Sequence, residues 1–181
     1  MSQQQVKDLI GQSIKIYLSF TPSKNEGLLF WKGSLDSNYI SAGMKDGFFI
    51  YVVQFDNDRR LTVTSRNRLD LDTEHKTTFT LNSRSGELVV GNEAPIRRQL
   101  TTSNDFDVSD DYLFVGGHPS NIADLTNGQY LDGFHGCLSK IGIMHKAKVG
   151  ASTETWGKAY MPLSDDRWFS ERVNTQCVKM C

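Results

Sequence analysis

An excess of either charge, a long apolar run and the common catalytic signatures are all missing from this chain. Its 20 basic and 21 acidic side chains nearly cancel, so no net field exists to hold a polyanion such as duplex DNA, and nucleic acid is excluded as a partner. No apolar stretch approaches the ~20 residues needed to cross a bilayer, which argues against membrane insertion. The start, Met1-Ser2-Gln3-Gln4-Gln5, lacks the apolar core of a secretion signal. There is no Asn-x-Ser/Thr acceptor, and no Gly-x-Ser-x-Gly, His-Glu-x-x-His or phosphate loop. Repeats, heptads and low-complexity tracts are absent too.

What the chain does have is strand texture. Ile14, Ile16, Leu18 and Phe20 alternate with polar residues and predict a half-buried strand; Leu28-Leu29-Phe30-Trp31 predicts a fully buried one. Between them Thr21 to Gly27 is turn chemistry. Further strands are expected at Tyr39–Met44, Phe48–Phe55, Arg60–Ser65, Thr77–Leu81, Glu87–Val90, Leu113–Val115 and Gly136–Ile143. The stretch from Ala94 to Asp111 reads as irregular. Ala147 to Trp168 reads as a loop wrapping the body, with one short helical turn. Turn signals at such intervals indicate an all-β antiparallel jelly-roll sandwich, and 181 residues suit a single domain.

Three cysteines add a compartment argument. Cys137 has its only possible partners, Cys177 and Cys181, at the extreme C-terminus, so a disulfide would staple the last segment onto the sandwich and point outside the cell. The start of the chain conflicts with that, and the conflict resolves if this is a segment of a longer secreted chain with Met1 added. A bond from Cys137 to Cys177 or Cys181 leaves one thiol over, and a 40-residue loop closed at Cys177 contributes roughly 3 to 4 kcal/mol. A zinc site from Cys137, Cys177, Cys181 and His135 or His145 has the ligand types without the tight paired spacing of zinc fingers.

Taken in order, Gly27-Leu28-Leu29-Phe30-Trp31, Asn38-Tyr39-Ile40, Lys45-Asp46-Gly47, His75-Lys76, Leu113-Phe114-Val115-Gly116-Gly117 and Phe134-His135-Gly136-Cys137 resemble the laminin G-like domain, from about Ile14 to Ile143. The tail, with Trp168-Phe169-Ser170-Glu171-Arg172 before Cys177 and Cys181, is similar to early G-like domains of a laminin α chain. It departs from them in a longer gap after Cys137, a wider closing cysteine pair, and Glu74-His75 where the family has Trp-His. The resemblance implies a concanavalin-like core over about 12–145, with a wrap and disulfide segment over 146–181. It implies a secreted, extracellular, basement-membrane module that is not an enzyme. The implied partners are a cell-surface receptor of the integrin or dystroglycan class, or a glycosaminoglycan, beside neighbouring domains of a longer chain. It also implies the pairing Cys137–Cys177, leaving Cys181 for a partner elsewhere.

The same resemblance carries a calcium ligand set onto side chains of Asn38 and Asp70 and carbonyls of Phe55 and Arg68. Asn38 stands where the family has Asp, which removes a charge that calcium favours, so the cofactor is either none or one weakly bound calcium ion. Asp36 or Asp72 could restore that charge, whereas as plain turn residues Asn38 and Asp70 need no metal. Three basic groups, Arg59-Arg60, Arg66 with Arg68, and Arg97-Arg98, would make a glycan or heparin surface if the fold brought them together, since guanidinium pairs sulfate and carboxylate bidentately. The acidic run Asp105, Asp107, Asp110 and Asp111 would oppose them if near. The alternative class is a carbohydrate-active enzyme or lectin on the same jelly roll. As a glycosidase it would need two carboxylates about 5 to 9 Å apart, drawn from Glu26, Glu74, Glu87, Glu93 and Glu154. His75 reads as a loop cap.

Overall fold

Ile14, Ile16, Leu18 and Phe20 sit on one face of a pleated strand because side chains two apart point the same way. In the computed structural model they belong to β1 (Ser13–Pro22), and each is at most 1% exposed. The structure describes residues 13–33, 38–55, 59–82, 85–100, 113–118, 120–149, 153–161 and 179–180, with backbone alone for Leu113 and from 145 onward.

The other strands are β2 (Gly27–Gly33), β3 (Tyr39–Lys45), β4 (Phe48–Gln54), β5 (Arg60–Thr64), β6 (His75–Asn82), β7 (Ser85–Val90), β8 (Ile96–Gln99), β9 (Leu113–Val115), β10 (Gly136–Val149), β11 (Thr153–Met161) and β12 (Lys179–Met180). A short helix, α1 (Ile122–Leu125), lies between β9 and β10. One sheet runs β11-β10-β1-β6-β7-β8 with β12 beside β10; the other runs β5-β4-β3-β2-β9. Pairing is antiparallel, apart from β12 on β10. The expected sandwich is therefore present.

Between the sheets the core is strongly aromatic. Phe20 stacks on Phe49 with centroids 4.9 Å apart, Phe134 meets Phe20 edge-on at 5.8 Å, and Tyr51 lies on Phe79 at 4.4 Å. Each such side chain contributes ~1.5–3 kcal/mol by leaving water.

Strands β2 to β4 of the second sheet are buried on both faces, which explains the unbroken apolar run of β2. A bulge between Leu28 and Phe30 turns Leu29 and Phe30 both toward the core, while Leu28 and Trp31 face outward. There they meet Tyr39, Ile50, Val52 and Tyr130, with Ile122 and Leu125 of α1 packed against them. The loop carrying α1 thus covers the outer face, and Tyr130 fixes it by donating its hydroxyl hydrogen to the Ile50 carbonyl at 2.9 Å.

Three segments differ from the sequence reading. Ile96–Gln99 is a strand inside the stretch expected to be irregular; as an edge strand it needs one buried residue, Ile96, and shows no alternation. The expected wrapping loop instead begins as strand: β10 continues past Ile143, and β11 adds nine residues to its edge. Backbone pairing along a long neighbour requires no apolar period. Finally, α1 starts where the Asn121 side chain accepts the Ala123 N–H at 3.0 Å, a helix N-cap.

Candidate functional site

The β3–β4 hairpin fixes which rim each candidate ligand occupies. Tyr39 pairs with Gln54 at one end, and Lys45 with Phe48 at the other. Asn38 and Phe55 adjoin the first pair. Arg68 and Asp70 flank Leu69, whose N–H donates to the Gly47 carbonyl (2.8 Å) in the hairpin turn. A seven-residue strand separates the two groups, roughly 20 Å at about 3.3 Å per residue. The calcium set Asn38, Phe55, Arg68 and Asp70 therefore does not converge. Phe55 and Arg68 look close in sequence, but β5 runs the length of the sheet between them.

Asp70 has another role: His75 Nε2 lies 2.8 Å from its carbonyl oxygen, so His75 caps this loop. The Arg68 guanidinium sits over the Phe48 ring at 5.6 Å. Asp72 shares that rim, its N–H bonded to the Pro22 carbonyl at 2.8 Å, while Asp36 lies outside the described residues. Among the described residues no three His, Cys, Asp or Glu side chains gather.

Cys137 is disulfide-bonded, which removes the thiolate that a zinc site would need. β12 lays Lys179 beside Cys137, two residues from either remaining cysteine. Cys177 and Cys181 themselves lie outside the described residues, as does the His145 side chain.

The carboxylates are separately engaged. Glu74 Oε1 accepts hydrogen bonds from Ser19 Oγ (2.8 Å) and Ser139 Oγ (3.0 Å), and these hold its carboxyl below the usual range, with Lys76 assisting. Glu87 pairs with Arg97, and Glu93 accepts from Asn67 Nδ2 at 3.2 Å. Glu26 is exposed in the β1–β2 turn, and the Glu154 side chain is not among those described. No acid–base pair forms among the described residues.

The arginines lie along two edge strands and the loops beside them. β5 and β8 are the outermost strands of their sheets, and Leu61 of β5 reaches Gly86 of β7, which pairs with Arg98 of β8. The two edges therefore meet, and the strands and loops beside them carry Arg59, Arg60, Arg66, Arg68, Arg97 and Arg98, with Arg97 directed to Glu87 on the outer side of the first sheet and Arg68 to Phe48 on that of the second. Arg66 donates to the carbonyls of Ala94 (2.8 Å) and Pro95 (3.2 Å), tying the two sheets' loops together. Arg60 donates to Gln129 Oε1 at 2.6 Å. Of the carboxylates described on this flank, Glu87 and Glu93 leave it net positive, whereas the run from Asp105 to Asp111 lies outside the described residues. Charge on edge strands also discourages edge-to-edge pairing of sheets, a structural role these arginines fill in any case.

The sequence reading missed His118. Its ring packs on Trp31 (4.9 Å) and Phe114 (4.0 Å), and its Nδ1 accepts the Ser120 N–H at 3.0 Å. Burial there lowers its pKa from the usual histidine range. The cue was an aromatic at Phe114 two turn glycines before a histidine, which no periodic pattern exposes.

Known proteins share this arrangement. The mouse basement membrane-specific heparan sulfate proteoglycan core protein is 27% identical over 134 residues, covering 71% of this chain and 4% of its own length. Human pikachurin is 26% identical over 145 residues, covering 74% of this chain and 13% of that protein. The chain thus spans a small part of either relative. Among solved structures, domains LG4-5 of the mouse laminin α1 chain superpose with a TM-score of 0.58 at 21% identity, covering 74% of this chain and 35% of that one. The LG1-3 region of the laminin α2 chain gives 0.56 at 16% identity, covering 82% and 31%. The sequence model of the laminin G domain matches residues 20–148, from the end of β1 to the end of β10, and the chain belongs to the laminin G domain family.

Proposed function

We propose that this domain is an extracellular, non-catalytic binding module that takes anionic glycan chains along the arginine flank of β5 and β8. The observation that supports the reading is the meeting of the two edge strands, β5 and β8, at an edge of the sandwich whose strands and loops hold six arginines from three separate stretches of sequence. Guanidinium groups recognise sulfate and carboxylate in bidentate fashion, and a flank of roughly 20 Å suits several units of an extended polyanion rather than one small ion. The matrix setting is supported by a relative whose name places it in basement membrane, and by the oxidised state of Cys137. The separate engagement of Glu74, Glu87 and Glu93 supports a binding rather than a hydrolytic role.

Heparin chromatography tests this. Arg60 and Arg98 are the residues to change, because Arg66 and Arg97 already hold loop and strand. An Arg60→Ala/Arg98→Ala protein should elute at clearly lower salt than the wild type, and a Lys24→Ala control should not. Retention should be the same with calcium or with chelator. Equal elution of the double variant and the wild type would reject the arginine flank.

A further inference from the structure

Two sheets have four edges, and among the described residues three of these are closed or short. β5 and β8 meet each other through Leu61 and Gly86, and β9 offers only three residues. The fourth, β11, is nine residues long and pairs with β10 alone. β12 lies on the same side of β10 but pairs with Cys137 and Leu138, past the end of β11 at Ile141, so it does not pair with the free edge of β11. A row of unpaired backbone N–H and C=O groups is a template for another strand, and proteins commonly blunt such edges with proline, a bulge or lysines. β11 has no proline, keeps an unbroken register along β10, and matches its single lysine, Lys158, with Glu154.

The order of residues along β11 is self-complementary. Glu154, Trp156 and Lys158 share one face of the strand, beside Lys148, Lys146 and Met144 of β10 and opposite to the face of the core residues Ile141 and Ile143. A two-fold axis through Trp156 lays β11 antiparallel on its own copy: Glu154 then falls opposite Lys158, Trp156 opposite Trp156, and Thr155 opposite Gly157. Opposite charges and aromatic pairs directly across an antiparallel ladder stabilise it, and like charges there destabilise it. Moving the axis to Gly157 sets Glu154 against Tyr160 and Lys158 against Trp156, and both charge pairs are lost. We infer that β11 is an interface between two copies of this chain, joined edge to edge into one continuous sheet. β8 and its arginines lie at the opposite edge of the first sheet, so this contact is separate from the flank proposed above.

Sedimentation velocity of the whole chain over a concentration series tests it, with free thiol alkylated so that no disulfide between copies contributes. A reversible, concentration-dependent dimer is expected, of the weak class that a small interface supports. Lys158→Glu, at a position beside Met144, sets acid against Glu154 at both symmetric places and should weaken the dimer by at least about tenfold. Glu154→Lys should act in the same direction. The exchange Glu154→Lys/Lys158→Glu keeps the net charge of the wild type and should recover its dimer constant to within about threefold. Circular dichroism melts of the Lys158→Glu and exchanged proteins should match the wild type, which separates lost association from lost folding. A chain that stays monomeric up to about 1 mM, a dimer that neither reversal weakens, or a loss in Lys158→Glu that the exchange does not recover would each overturn the pairing.

Discussion

Leu61 of β5 and Gly86 of β7 close the flank of the sandwich: a Cβ added to Gly86 would lie 2.5 Å from Leu61 Cδ2 and 3.1 Å from the Phe79 ring. Glycine is needed here for space. Gly86→Ala should therefore destabilise the domain by ~1–3 kcal/mol, the usual range for overpacking. Leu61→Ala alone creates a cavity and costs ~2–5 kcal/mol. Combined, the two should fall short of their sum by about 1 kcal/mol, because each change relieves the other. Urea unfolding of the four proteins measures this, and strict additivity would mean that the two positions do not press on each other.

Gly27 presents a harder restriction. Its φ is +140°, and a Cβ would meet the Gly133 carbonyl oxygen at 2.5 Å and Phe134 Cα at 2.7 Å, backbone that cannot step aside. Gly128, with φ +71°, has nothing within 4 Å of the same point. Gly128→Ala should cost only the left-handed conformation, about 1–2 kcal/mol. Gly27→Ala should cost at least twice that or fail to fold. Thermal melts by circular dichroism rank the two, and the reverse order would contradict the close approach of β2 to the 133–134 backbone.

The sheet interiors were legible because burial writes itself as periodicity. Ile14 to Phe20 alternates since one face is wet, and Leu28 to Trp31 does not because α1 and its loop cover the outside. What was hidden depends on pairing rather than composition. Ile96–Gln99 has one buried residue, and β11 is strand because β10 offers a long edge. The calcium ligand set failed for the same reason: no sequence distance tells which rim a residue reaches when β5 carries the chain across the sheet. The two sheet edges show the converse, since β5 and β8, far apart in sequence, come together through the contact of Leu61 with Gly86.

Cys137 should prove linked to Cys177, with Cys181 the residue that stays alkylatable. β12 leaves both within two residues of Lys179, so the structure permits either pairing, and the choice rests on the family resemblance. Peptide mapping without reduction identifies the linked fragment. A Cys137–Cys181 peptide would reverse the assignment. Reduction should lower stability by ~4 kcal/mol for a 40-residue loop, and Cys137→Ala should melt where the reduced protein does.

His118 should make stability depend on pH. Packing against Trp31 and Phe114 desolvates the ring and lowers its pKa in the folded state, so the unfolded chain binds more protons as the solution is acidified. The associated stability is fully present above the unfolded histidine pKa of about 6.5 and is lost as pH falls below it toward the lower folded pKa. Protonation at Nδ1 would also remove the acceptor of the Ser120 N–H. Glu74, whose folded pKa is lowered by Ser19 and Ser139, contributes stability that is lost only in more acidic solution, so the two windows separate. Urea midpoints should therefore fall from about pH 7 to pH 5 in the wild type. In His118→Asn, which can still accept from Ser120 but does not titrate, the fall should be smaller; an identical slope would place the pH dependence elsewhere in the chain.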